Sequence, residues 1–155
     1  VRESLFNVLN GGRYGDPIRD ARVLDLFAGT GALGLEALSR GAAHATFVDN
    51  GKVAGKLIAA NIAKLRRGAD TKLIKSDAVK LPPVTTPCTL VFIDPPYGMG
   101  LGPKAMTAAL ANGWIAPDAL IVLEENGAQP APRGFRFLAS RRYGDTWITI
   151  FEVSA

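Results

Sequence analysis

The sequence predicts an α/β domain with a mainly parallel sheet, completed on its C-terminal side by an antiparallel hairpin. Three observations lead there. From Ala21 onward, short β-branched or leucine-rich runs alternate with helical stretches, the pattern of a sheet wrapped by crossover helices. The first run leads into a glycine-rich turn, Gly29-Thr30-Gly31-Ala32-Leu33-Gly34, that opens a helix. The tail breaks the alternation with two strand-like segments around Gly144-Asp145, a pair whose leading glycine suits a type II′ turn.

The elements follow in chain order. Residues 2–9 read as a short helix with Leu5, Phe6 and Leu9 facing inward, followed by a loop over 10–20. Strands are expected at 22–27, 45–49, 71–75, 89–94 and 119–124. A helix over 30–40 ends at Gly41, where a C-terminal cap favours positive φ. The next, over 52–67, carries Ala54, Leu57, Ile58, Ile62 and Leu65 on one stripe and stops before Gly68. Asn61 shares that stripe and either braces backbone near the glycine turn or faces solvent. A helix over 104–112 is set off by Pro103 and Gly113, and 136–143 with 146–153 form the hairpin. Trp114, Trp147 and Cys88 are expected in the core.

Composition narrows the function classes. A chain of 155 residues with 48% apolar content fits one domain over 1–155 and leaves no room for a separate substrate domain. Val1 is not a methionine and enters a helix directly, so an upstream segment is expected to be missing. No apolar run approaches the ~20 residues of a membrane span, and the lone cysteine forms no internal disulfide; a cytoplasmic, reducing setting is expected. With one histidine, His44, a His/Cys zinc cluster cannot be assembled and a His-centred triad would rest on it alone. Eighteen Lys and Arg against fourteen Asp and Glu, a net charge of +4, favour a polyanionic partner. Lys64, Arg66 and Arg67 form one basic cluster and Arg133, Arg136, Arg141 and Arg142 another, read as solvated faces or as phosphate contacts.

The glycine turn is where the chemistry begins. Gly29, Gly31 and Gly34 literally match a dinucleotide fingerprint, so an NAD-dependent oxidoreductase has to be considered. In those enzymes, however, the glycines follow the apolar strand directly, whereas here Asp25 lies near the strand end and Phe27-Ala28 intervene. A dinucleotide brings a pyrophosphate for helix-terminal amides; S-adenosylmethionine brings a sulfonium and an ammonium, which acids stabilise. Asp25, Asp49, Asp77 and Asp94 all fall at the carboxyl ends of successive strands, the ligand-binding edge of a parallel sheet. Asp49 suits the two ribose hydroxyls and Asp77 the adenine amino group. Asp25 suits the methionine ammonium, directly or through water, and Gly29 and Gly31 let backbone approach the amino-acid moiety. The expected cofactor-binding set is Asp25, Phe27, Gly29, Gly31, Asp49, Asn50, Asp77 and Ala78. Phe6 and Asn7 would border it if the first helix folded over the cofactor, and Glu124 and Glu125 share the same edge or stand as solvated charges.

Asp94-Pro95-Pro96-Tyr97 ends an apolar strand where a catalytic loop should begin. Two prolines remove two amide donors and stiffen the turn, leaving outward carbonyl acceptors. An arylamine nitrogen is a poor nucleophile because its lone pair is delocalised into the ring. The Asp94 carboxylate and a Pro95 or Pro96 carbonyl, binding its two hydrogens, favour a pyramidal nitrogen aimed at the sulfonium methyl. Tyr97 can stack on a flipped base. An adenine-N6 methyltransferase on nucleic acid and a non-catalytic RNA-binding module both remain open on these residues.

The runs Arg2-Glu3-Ser4-Leu5-Phe6-Asn7, Val23 through Gly41 with its Glu36-Ala37-Leu38-Ser39-Arg40-Gly41-Ala42 continuation, and Asp94-Pro95-Pro96-Tyr97 together resemble the bacterial 16S rRNA guanine-N2 methyltransferase family, over nearly the whole chain. The resemblance implies a Rossmann-like, class I S-adenosylmethionine-dependent methyltransferase fold with a seven-stranded sheet ordered 3-2-1-4-5-7-6. It implies S-adenosyl-L-methionine as cofactor and 16S rRNA, in an assembled or nearly assembled small ribosomal subunit, as partner. No metal, no membrane and a monomeric state are expected. Family members usually begin with a basic β-hairpin segment before the first helix, which this sequence lacks.

Overall fold

Residues 2–154 are described by a computed structural model, so the first and last residues, including the expected helical entry at Val1, lie outside the described residues. The element order is α1 (Arg2–Leu9), β1 (Arg22–Leu26), α2 (Ala32–Ser39), β2 (His44–Val48), α3 (Lys52–Lys64), β3 (Thr71–Ile74), β4 (Cys88–Ile93), α4 (Leu101–Ala111), β5 (Ile115–Glu125), β6 (Phe135–Tyr143) and β7 (Thr146–Val153). The strands form one sheet ordered β3-β2-β1-β4-β5-β7-β6, the order the family resemblance implied. β3, β2, β1, β4 and β5 run parallel, while β7 is antiparallel to both β5 and β6. Of the hairpin pair Gly144-Asp145, only Gly144 has positive φ, at 62°, as a type II′ turn requires.

Alternation along the strands sorts side chains into two cores, because successive residues point to opposite faces. Val23, Phe47 and Phe92 face one layer with Phe6 and Leu9 of α1 and Leu38 of α2. Leu24, Val48, Val91 and Ile93 face the other, with Met106 of α4 and Trp114. Phe6 and Phe92 are fully enclosed with ring centroids 5.7 Å apart. No described helix is long and apolar enough to cross a membrane.

Several boundaries and burials differ from the sequence reading, the boundaries each for a local reason. α3 ends at Lys64 rather than at Arg67, because Arg66 adopts left-handed φ of 56°. The amides of Arg66 and Arg67 then bond the carbonyls of Ala63 and Ile62, a Schellman cap built without glycine. Its stripe is only half used: Ile58 is buried, but Leu57 and Leu65 are exposed. α4 begins at Leu101, so Pro103 lies inside its first turn, where a missing amide costs nothing. β5 begins at Ile115 and runs through Pro117, next to a register shift between Cys88 and Leu90 that frees the ladder there. Trp114 and Cys88 are buried as expected, while Trp147 is only half-buried. A left-handed residue with a Cβ costs about 1 kcal/mol, so Arg66→Gly is expected to raise stability by about that much, read as a higher denaturant midpoint.

The two sheet edges differ. β3 has four residues, whereas β6 is long and carries exposed Arg136, Arg141 and Arg142, the first of them ion-paired with Glu152 of β7.

Candidate active site

β1 delivers the chain to the glycine turn under strain. Phe27, an aromatic residue, holds left-handed φ of 57°, followed by Gly29 at 59° and Gly31 at 79°. Such conformations persist in residues with a Cβ only where the surroundings enforce them. Here the Ala28 amide bonds the Val48 carbonyl, and the Gly31 amide bonds that of Ala28. Asp49 then ties the ends of β1 and β2 together: its Oδ2 accepts the Gly29 amide at 2.9 Å and its Oδ1 the Gly51 amide at 2.8 Å. Asn61 Nδ2 donates to the Thr30 carbonyl at 2.9 Å, so it braces the turn from α3. A Cβ at Gly29 would point into open space, whereas one at Gly34 would meet the Phe47 ring at 2.5 Å.

Beside this turn lies a cavity of about 230 Å³ lined by Phe27, Asp49, Asn50, Asp77, Ala78 and Pro96, together with Val48, Val79 and Leu101. It gathers five of the eight residues expected to bind a cofactor. Gly29 and Gly31 do not line it, though Gly29 is joined to its wall through Asp49. Each Asp49 oxygen accepts one amide and keeps a second lone pair. Asp77 caps the short turn Ala78–Lys80, accepting the Val79 amide at 3.1 Å through Oδ1. A larger concavity of about 610 Å³, lined by Arg13, Tyr14, Asp118 and Glu152 among others, lies at the opposite, amino edge of the sheet, away from the glycine turn and the strand-end acids. His44 opens β2 at that edge, and burial first, then Arg22, holds its imidazole below the usual value.

Asp25 stands beneath the turn rather than on the cavity wall. It is 1% exposed, and its Oδ2 accepts the Gly34 amide at 3.0 Å. Burial pushes its carboxyl up to about 8, against the pull of the Gly34 amide and with smaller pushes from Asp94 and Asp49. Because the ordinary value is 3.8, folding carries no ionisation cost from Asp25 at acid pH. The cost grows as pH rises between those two values and is complete above the upper one. Asp25→Asn keeps an oxygen for Gly34 and removes this dependence. Between about pH 6 and pH 9 the unaltered chain is therefore expected to lose more stability than the variant, measured by denaturant unfolding. Phe6 and Asn7 do not border the cavity: Phe6 packs on Phe92 beneath Arg40, and Asn7 is exposed.

At the end of β4, Asp94 is exposed, Pro95 buried, Pro96 exposed and Tyr97 partly exposed at 41%. The Tyr97 hydroxyl donates to Glu124 Oε1 at 3.3 Å and lies 3.4 Å from Thr146 Oγ1. Of the two readings for Glu125, an edge residue or a solvated charge, the second does not hold, since it is 3% exposed. Its Oε1 accepts the amides of Gly98 and Asn126, both at 3.0 Å, and so pins the loop that follows Tyr97. Desolvation first, then Glu124 and Glu125, push the Asp94 carboxyl up to about 7. Burial also raises the Tyr97 hydroxyl. The sheet thus brings Asp94 through Tyr97 to the same edge as the cavity, with Pro96 shared by both.

Comparisons with known proteins bear on the fold and the family. The family model described as conserved hypothetical protein 95 matches residues 1–152. Ribosomal RNA small subunit methyltransferase D of Escherichia coli is 37% identical over 159 residues, covering 100% of this chain and 77% of that protein. The Haemophilus influenzae protein of the same name is 31% identical, over 93% of this chain and 75% of its own length. Among solved structures, Escherichia coli yhhF superposes with a TM-score of 0.85 at 36% identity, covering 99% of this chain and 84% of that one. A SAM-dependent methyltransferase from Aquifex aeolicus shares the fold, with a TM-score of 0.69 at 15% identity, over 97% and 88% of the two chains. The fold is therefore that of the SAM-dependent methyltransferases, and the chain belongs to the family of the ribosomal RNA small subunit methyltransferase D proteins.

Proposed function

We propose that this chain transfers the methyl group of S-adenosylmethionine to the exocyclic N2 of a guanine in 16S rRNA, within the small ribosomal subunit. The observation that carries the reading is that Asp94-Pro95-Pro96-Tyr97 leaves β4 at the sheet edge, beside the cavity lined by Asp49, Asp77 and Pro96. Its relatives, named as ribosomal RNA small subunit methyltransferases, support the substrate class.

The residues fit this cofactor better than a dinucleotide. In a dinucleotide site, amides of the glycine turn stay free for a pyrophosphate. Here the Gly29 and Gly34 amides are already taken by Asp49 and Asp25, so neither is free for a pyrophosphate, and the Asp49 carboxylate beside the turn favours a cation. Asp49 has lone pairs left for the ribose hydroxyls, Asp77 keeps Oδ2 for the adenine amino group, and Phe27 and Ala78 supply apolar walls around the base. Asn50 completes the wall beside Asp49.

When bound, S-adenosylmethionine supplies an electrophilic methyl on a positively charged sulfur. Asp94 and the Pro95 carbonyl accept the two hydrogens of the guanine amine and turn its lone pair toward that methyl. With that methyl donor bound, the amine would take the methyl group and would give up one proton to the Asp94 carboxylate or to water. Tyr97, tethered to Glu124 and Thr146, holds the base plane by stacking.

Two measurements test this. S-adenosylhomocysteine at 100 times its Kd is expected to stabilise the chain by about 2.7 kcal/mol, seen as a rise in Tm, and NAD is expected to leave Tm unchanged. Labelled cofactor with unmodified small subunits is expected to yield N2-methylguanosine. N6-methyladenosine, or label on DNA instead of subunits, would overturn the reading.

A further inference from the structure

We propose that Glu124 is a specificity-determining residue that accepts the N1–H of the target guanine beside the reacting amine, a role that rests on the guanine reading above. β4 and β5 run parallel with Ile93 opposite Leu123, so Asp94 and Glu124 leave neighbouring strands at the same level. Alternation puts both on the face of Phe92 and Val122, side by side at the carboxyl edge. Glu124 is half-buried rather than enclosed. Its Oε1 takes the hydroxyl of Tyr97, the ring assigned to stack on the base, and its Oε2 has no hydrogen-bond donor among the described residues. No described cation pairs with Asp94 or Glu124. Their closeness shows in the raised Asp94 carboxyl, for which Glu124, by its charge and by a hydrogen bond between the two carboxyl groups, is the largest cause after burial.

Two adjacent carboxylates without a cation call for two adjacent donors. Guanine presents N1–H next to its N2 amine, whereas adenine presents a lone pair at N1 next to N6, and cytosine one at N3 next to N4. A carboxylate opposite either lone pair repels it and leaves both acceptors unpaired. With the amine on Asp94 and Pro95, the neighbouring ring nitrogen falls toward Glu124. This pairing selects guanine over the other amino-bearing bases by chemistry rather than by shape.

The test uses small subunits reconstituted with 16S rRNA that carries guanine or 2-aminopurine at the mapped target. 2-Aminopurine keeps the reacting amine but has a lone pair at N1. The unaltered enzyme is expected to prefer guanine in kcat/KM by roughly 10- to 100-fold. Glu124→Gln, whose amide offers that lone pair a donor, is expected to narrow the ratio to about threefold or less with S-adenosylhomocysteine affinity unchanged. Equal rates on the two bases by the unaltered enzyme overturn the proposal without any variant having to fold. So does a ratio that survives in Glu124→Gln, or one that Tyr97→Phe narrows equally, since Glu124 would then act only through the tyrosine. If the unaltered enzyme makes N6-methyladenosine instead, the guanine reading itself fails, an outcome distinct from the others.

Discussion

Asp94→Ala is expected to lower methyl transfer by roughly 100- to 1000-fold, the usual cost of removing one group aimed at developing charge, while S-adenosylhomocysteine binds as before. The separation follows from the layout. Asp94 stands at the end of β4 and is absent from the cavity wall, which is built by Phe27, Asp49, Asn50, Asp77 and Ala78. Single-turnover rates with saturating cofactor report the first effect and calorimetry the second. A variant that loses both would move Asp94 from orienting the amine to holding the turn. An RNA-binding module without chemistry predicts neither change.

Gly34→Ala is expected to cost about 1–3 kcal/mol of stability, as overpacking does, and to weaken cofactor binding at least tenfold. The added Cβ would lie 2.5 and 2.9 Å from two atoms of the Phe47 ring and 3.2 Å from Asp25 Oδ2. Phe47 is fully enclosed, so it cannot retreat. Either α2 lifts away from β1 and β2, or the Gly34 amide leaves Asp25 and strands a buried carboxyl. Both distort the turn that presents Gly29 and Gly31. A denaturation midpoint and a titration with S-adenosylhomocysteine check the two halves of this expectation. Gly29→Ala differs in kind, because its Cβ meets no atom within 4 Å and its cost is the left-handed φ alone.

Much of the site could be read from residue order. A parallel sheet sends every strand's carboxyl end to one edge, so acids just after successive apolar runs had to meet there, and Asp25, Asp49, Asp77 and Asp94 do. What order could not convey is the direction of each side chain. Asp25 lies inside β1, level with Phe47, and is sealed beneath the turn, whereas Asp49 lies past the end of β2 and faces the cavity. Glu125 gave no sign of its role, because in Glu124-Glu125-Asn126 a buried carboxylate looks like its half-buried neighbour. Only the closeness of Gly98 to the end of β5 tells them apart. The boundary differences share one origin. Pro103, Pro117 and Arg66 are residues whose intrinsic preferences argue against their observed places, and tertiary packing or an unpaired backbone position overrode each of them.

An open sheet has two rims where unpaired peptide groups invite a stranger's strand. β3 limits that invitation by brevity, while the far rim is a nine-residue strand that brevity cannot protect. There Arg136, Arg141 and Arg142 charge the border, so a second molecule adding by strand pairing would stack like charge on like. Neutralising all three is therefore expected to promote aggregation, with turbidity rising as protein concentration is raised.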